Sequence, residues 1–455
     1  MQTSRKRRLL IHSAVLAAVT ATILAQLPPA AAEAAGPNAR VSGELAEWVA
    51  TASAGEVQTV IVTFHEAADV DRIDSYRTAA TKLDMLPVAI ATLSGSQVQQ
   101  LAGDPAVRSL WHDAQQEIHL DSSVPLTGAD RVWAGEGLQT GYTGAGVGIG
   151  VVDTGVDGLH PDLPYPEKVE PYLLVGDLED PQLVAEFEAP TGDTYGHGTH
   201  VSSIAAGLGE ASDGTYTGMA PGARIYSFKS DVGLFLFTGY ILKSFDWMLE
   251  HREANNIRVS TNSWGTGGGS DFDPNDPVNV ATRELFEAGI TVIFSAGNDG
   301  EPDSLNQYAL APWVIGVAAN DKQRELAAFS SRGRIDGNWD RDQALRDNTG
   351  LYRPGLSAPG VDITAAGSSH ATVLAPGRRL DNPLYIVASG TSMSAPHVAG
   401  AAALMYEADP DLTPEQVISI LEQTATEMPG YQAFEVGAGH LDAHAAVQVA
   451  ESTRQ

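Results

Sequence analysis

GIGVVDTGVDGLHPDL, Gly148 to Leu163, decides how the chain is to be read. An apolar run, Val147 to Val152, stops at an acid, Asp153. Apolar runs without polar alternation mark strands of a parallel sheet covered on both faces. Such a strand delivers the residue that follows it to the sheet's carboxyl edge, where α/β proteins place their clefts. Four similar runs follow: RIYSFK from Arg224, IRVSTNSWG from Ile257, ITVIFSAGND from Ile290 and WVIGVAAN from Trp313. Segments with helical patterning lie between them, Thr238–Asn256 and Val278–Gly289. Strands alternating with helices predict an α/β domain with a mainly parallel sheet. The strand ends would bring Asp153, the Asn262–Ser263–Trp264 segment and Asn298 to one rim.

Bulk properties exclude several functions. The chain has 455 residues and a net charge of −30. Surface this acidic repels phosphates, which argues against nucleic acid and anionic membranes as partners. Cysteine is absent, so thiol catalysis and thiolate metal sites are excluded.

The N-terminus reads as a secretion signal over 1–32. Arg5, Lys6, Arg7 and Arg8 precede a long apolar stretch, and Ala30 and Ala32 fit cleavage after Ala32. Ala32 and Ala34 offer a second cleavage point, and an uncleaved membrane anchor is the alternative. Residues 36–120 read as a small α+β unit of order β-α-β-α-β. Its strands are Val57–Phe64, PVAIATL and AVRSLWHD. Its helices are Ala68–Leu83 and one capped by Ser96 that ends near Gly103. AQQEIHL reads as extended. The Gly- and Ser-rich stretch after residue 120 leads into the main domain, 121–455.

Two further motifs carry chemistry. DTYGHGTHVSSIAAG, Asp193 to Gly207, brackets His197 with Gly196 and Gly198. SGTSMSAPHVAGAAALMYEA, Ser389 to Ala408, opens an apolar Ala-rich helix with Ser392 at its start and Pro396 in its first turn. A serine hydroxyl needs a base, histidine can serve as one, and the imidazole needs an acid to hold its other nitrogen. Asp153, His197 and Ser392 supply that set, although each taken alone has a plain structural explanation.

These motifs resemble those of the subtilisin-like serine peptidases (subtilases, peptidase family S8), in the family's own order. GMAPGARIYSFK, NSWG, SAGN, FSSRG and LSAPGVDI are further segments similar to that family. The resemblance covers most of 120–450. It implies a three-layer subtilisin-like sandwich and a secreted serine endopeptidase acting through a Ser acyl-enzyme. Asp153, His197 and Ser392 would be its triad and Asn298 its oxyanion donor, with the Ser392 N–H beside it. Ser263, Trp264 and Gly265 would pair with substrate backbone and line the primary pocket. Ser295, Ala296 and Gly297 would form the opposite wall. Residues 36–120 would be a ferredoxin-like inhibitor propeptide, cut off by self-cleavage near Leu120. The implied partners are protein or peptide substrates and the chain's own propeptide. The implied location is extracellular, free or held at the cell surface. The chemistry needs no cofactor; family members bind structural calcium, for which Asp157 and Asp162 are nearby acids without a recognisable loop.

Other residues get plainer readings. His397 reads as a packed helix residue and Asp193 as a solvated surface acid. The acids from Glu167 to Glu188 read as an exposed insertion, and His160 has no evident partner. A catalytically silent homologue would be expected to lack one of the four key residues, and all four are present. A nucleotide-dependent enzyme lacks its phosphate loop, because the Gly-rich GYTGAGVGIG precedes its strand.

Overall fold

The computed structural model describes residues 39–53, 55–113, 115–118, 125–177, 180–188, 192–232, 235–265, 268–269, 271–371, 378–379 and 382–454. The predicted signal segment and the cut near Leu120 lie outside the described residues. All described residues belong to one compact unit, 39–455.

The N-terminal part contains β1 (Arg40–Val41), α1 (Gly43–Thr51), β2 (Val57–Phe64), β3 (Ala80–Lys82), β4 (Val88–Ser94), α2 (Gly95–Ala102) and β5 (Val107–His112). The strands form one sheet in the order β1-β5-β2-β4-β3. Two details differ from the sequence reading. The helix expected over 68–83 is a 3-10 segment, Ala67–Tyr76, that stops at left-handed Arg77 (φ 50°). The chain then turns extended, and Thr81 pairs with Ile90 on β4. The cap of α2 is Ser94, whose hydroxyl accepts from Gln97 N while the Gln97 side chain accepts from Ser94 N, a reciprocal cap.

A sixth strand, β6 (Gln115–Ile118), leaves this sheet and crosses to the main part of the molecule. There the strands that build and border the site are β7 (Gly148–Asp153), β8 (Val169–Asp177), β9 (Asp180–Glu188), β10 (Arg224–Lys229), β11 (Phe235–Phe237), β12 (Ile257–Asn262), β13 (Trp264–Gly265), β14 (Thr291–Ser295), β15 (Val314–Asn320) and β16 (Leu356–Pro359). The principal helices are α3 (His197–Ala206), α4 (Thr238–His251), α5 (Pro277–Glu287) and α6 (Thr391–Ala408).

The main sheet runs β16-β15-β14-β12-β7-β10-β8-β9. Seven of its strands are parallel, and β9 closes one edge antiparallel to β8. The stretch read as an exposed acidic insertion is therefore the β8–β9 edge of this sheet.

Helices cover both faces of the sheet. Every residue of β7 is buried, as a central parallel strand requires. Gly150 lies under α4, where a Cβ would meet the Met248 sulfur at 2.3 Å. α6 is apolar on all sides, and Glu407 is its one residue that is not buried, so it runs through the core instead of lying on it. Ile61, Val88 and Ile90 of the N-terminal sheet, with Leu86 just ahead of β4, share a core with residues of the main part. Among the described residues, no helix is long and apolar enough to cross a membrane.

Candidate active site

Three elements converge at the carboxyl edge of the sheet. β7 ends with Asp153. Next to it α3 opens with His197, and α6 opens with Thr391 and Ser392. The His197 Nδ1 donates to Asp153 Oδ1 at 2.6 Å, with both side chains buried. Because a carboxylate only accepts, the imidazole proton resides on Nδ1 and Nε2 is the basic nitrogen. The Thr154 N–H also donates to Asp153 Oδ1, at 2.8 Å.

Two glycines make this approach feasible. Gly196 has φ 103°, a left-handed conformation that turns the chain into the start of α3. Gly198 has no room for a side chain, since a Cβ there would lie 2.1 Å from the Gly155 carbonyl oxygen.

Asp193 is the residue that sequence reasoning placed worst. It is fully buried. Its Oδ1 accepts from Thr154 Oγ1, Tyr195 N and Gly196 N, and its Oδ2 from Thr199 N and Thr199 Oγ1, all within 3.1 Å. It thus ties the end of β7 to the start of α3. Burial still outweighs these donors and raises its pKa. The legible signal was its position just ahead of a helix start, where free N–H groups favour an acid.

Ser392 is held by its neighbour across the cleft. Its hydroxyl donates to the Ser263 carbonyl at 3.1 Å, and Ser263 Oγ donates to the Ser392 carbonyl at 2.6 Å. The second bond has a sequence cause. α6 starts at Thr391, so Pro396 lies in the second turn, not the first. A residue there would normally give its N–H to the carbonyl four back, which is Ser392. Proline has none, and the Ser263 hydroxyl takes its place.

Asn298 follows β14. Its Oδ1 accepts from the Thr391 N–H at 2.9 Å and from Thr391 Oγ1 at 3.0 Å. An N–H can only donate, so these bonds fix the amide with Nδ2 as its donor. The Ser392 N–H, in the first turn of α6, has no acceptor within the helix. The site therefore pairs a hydroxyl with two kinds of N–H donor.

The expected pocket walls also meet here. Gly297 N donates to Thr391 Oγ1 at 3.1 Å. Asn306, unremarked in the sequence, bridges the walls: its Nδ2 donates to the carbonyls of Trp264 (2.8 Å) and Ser295 (3.0 Å). Ala296 accepts from Asn306 N at 2.8 Å. The Trp264 backbone pairs with Ile118, while its indole is buried against Phe294 and Tyr308 and donates to the Val152 carbonyl at 2.9 Å. β6 lies antiparallel between β11 and β13, with Gln116 opposite Leu236, Glu117 opposite Gly265 and Ile118 opposite Trp264.

Residues set aside in the sequence take structural places. His397 is buried, with Nδ1 bonded to the Met393 carbonyl at 2.6 Å. His160 accepts from Asp162 N through Nδ1, so its Nε2 donates to the Leu384 carbonyl. Asp157 accepts from Ser369 N and Oγ, and Asp162 from Ala211 N and Tyr385 OH, so both are committed within the protein. Among the described residues, no cluster of three or more His, Asp or Glu could hold a metal ion.

Residues 144–440 match the sequence pattern of the subtilase family, peptidase S8. The chain belongs to the subtilase family. It is 28% identical over 413 residues to serine protease AprX of Bacillus subtilis, covering 84% of each chain. It is 29% identical over 373 residues to subtilisin E of the same organism, covering 79% of this chain and 80% of that one. Its fold is similar to that of fervidolysin from Fervidobacterium pennivorans, a keratinolytic enzyme related to subtilisin, with a TM-score of 0.65 at 22% identity. That likeness covers 93% of this chain and spans 64% of fervidolysin. The subtilase is a serine-type peptidase with a three-layer α/β fold.

Proposed function

We propose that this subtilase is a secreted, self-processing serine endopeptidase with Asp153, His197 and Ser392 as its triad. The observation that carries the assignment is the 2.6 Å Asp153–His197 bond at the end of the central strand, beside the start of α6. In the proposed cycle the Ser392 hydroxyl gives up the Ser263 carbonyl and passes its proton to His197 Nε2. Its oxygen bonds to the substrate carbonyl carbon. The imidazolium then protonates the departing amine, and the C–N bond breaks. Water repeats the sequence on the acyl ester and releases the acid. Asp153 keeps Nδ1 protonated and stabilises the imidazolium. Asn298 Nδ2 and the Ser392 N–H would receive the developing oxyanion. No cofactor enters these steps.

Substrate would lie along Ser263–Gly265, with Ser295–Gly297 as the second wall. The extended β6 segment on β13 supports this placement, because it already pairs there as a peptide would. The same segment supports reading residues 36–120 as a propeptide that blocks the cleft until self-cleavage near Leu120. The basic, then apolar N-terminus supports export, and the net charge of −30 speaks for protein or peptide partners over nucleic acid.

The test is labelling with a fluorophosphonate probe, peptide mapping and N-terminal sequencing of wild type and Ser392→Ala. Label on Ser392, lost in the variant together with cleavage near residue 120, is the expected result. A folded, processed wild type that takes no label would refute the reading.

A further inference from the structure

Asp153 is not the only buried acid behind His197. Asp193 and Asp231 are buried beside it, and besides burial the charges of Asp153 and Asp193 raise both Asp231 and Tyr195. Among the described residues, one oxygen of Asp153, Oδ2, is buried without a hydrogen-bond partner, and so is Oδ2 of Asp231. Buried carboxylates short of donors need a cation nearby to remain ionised.

Lys229 occupies that place. It ends β10 directly opposite Asp153 on β7, in register, so the two side chains leave the sheet on the same face about 5 Å apart along the ladder. Its Nζ donates to the carbonyl of Thr154, the residue after Asp153, at 3.2 Å, and to Asp231 Oδ1 at 2.6 Å. Its charge also acts on Asp193. The other titratable groups facing this cluster carry no compensating charge. Burial pushes His200 down to about 3 and raises Tyr195, which leaves both neutral at ordinary pH.

We propose that Lys229 is a positioning residue of the triad, the cation whose charge offsets the buried acids around His197 and thereby sets the pH at which His197 becomes a base. The inference rests on the triad reading above. The sign follows from charge. A nearby cation disfavours the imidazolium, so its removal lets His197 keep its proton to higher pH. Burial pushes Asp231 itself up to about 7, so it is an anion only toward and above that pH, where its removal acts the other way.

The experiment follows the His197 ring by NMR in the full chain labelled with ¹⁵N-histidine, in a Ser392→Ala background that prevents self-cleavage. Fluorophosphonate labelling rates against pH are measured alongside, with Ser392 intact. Lys229→Met is expected to raise the His197 midpoint by about one pH unit. Labelling at pH 6 should then fall about tenfold relative to its own plateau. Asp231→Asn is expected to lower the midpoint, and Lys229→Arg to restore the wild-type value. Plateau loss without a midpoint shift in Lys229→Met would mean a structural role and overturn the inference. If Lys229→Met does not fold, an unmoved midpoint in Lys229→Gln overturns it equally. A wild type that takes no label at any pH, with the midpoint shifts intact, would sink the peptidase reading and leave the coupling of Lys229 to His197 standing.

Discussion

Ser263→Ala offers a quantitative test of how the nucleophile's helix is seated. The hydroxyl removed donates to the Ser392 carbonyl at 2.6 Å in a fully buried setting. No N–H can replace it from within the helix, because position 396 is proline. The variant loses one hydrogen bond and strands a buried carbonyl, which costs about 2 kcal/mol. For a chain of this size that corresponds to a fall in Tm of about 2 °C. Pro396→Ala restores an N–H four residues after Ser392. In that background Ser263→Ala should therefore cost less than about 1 kcal/mol, a coupling of 1 kcal/mol or more. The assay is thermal and denaturant unfolding of the four combinations with Ser392→Ala throughout, which prevents self-digestion and keeps the carbonyl. A cost below about 0.5 kcal/mol, or an equal cost in both backgrounds, would refute the claim that Ser263 substitutes for the missing helix bond.

Three further outcomes are expected. Asn298→Ala should lower kcat about 10²–10³-fold, a magnitude known from subtilisin itself, with the fold and the fluorophosphonate site intact; a loss under tenfold would remove Asn298 from the oxyanion site. Gly198→Ala should destabilise by about 3 kcal/mol or more, since the new Cβ would lie 2.1 Å from the Gly155 carbonyl oxygen, and its unfolding midpoint checks this. Asp113 accepts the N–H of Gly239 at 2.9 Å, and burial pushes its carboxyl up to about 6. A pKa raised by docking means that the contact is strongest below the undocked value near 4 and weakens as pH rises through about 6. Hydrogen exchange at Gly239 in the Ser392→Ala chain, corrected for its intrinsic rate, should lose protection over that range, and Asp113→Asn should flatten the profile.

Much of the architecture was legible from local pattern. β2, β10 and β12 coincide with β-branched or unbroken apolar runs, and the helices α4 and α5 with 3.6-residue spacing. The parallel sheet followed from their alternation. The 3-10 segment at Ala67–Tyr76 was not legible, because its composition suits a helix while β4 claims Thr81 as a strand partner. The helix start at Ser94 was misread by two residues, since both serines are good caps and only the reciprocal bond with Gln97 distinguishes them.

The order Asp153, His197, Ser392 and their glycine-bracketed motifs were set by the sequence alone, as were the family resemblance and the absence of thiol chemistry. Each motif is short and contiguous, so its residues announce themselves. What only the tertiary structure decided joins residues distant in the chain. Ser263 supplies the bond that Pro396 withholds, across 129 residues. Asn306 ties two cleft walls, and Lys229 meets Asp153 only because parallel pairing sets β10 beside β7. Asp193 reads as a surface acid until the end of β7 and the start of α3 close over it. Burial and strand neighbours are properties of the packed chain, and they decide whether a charged residue is solvated or part of the site.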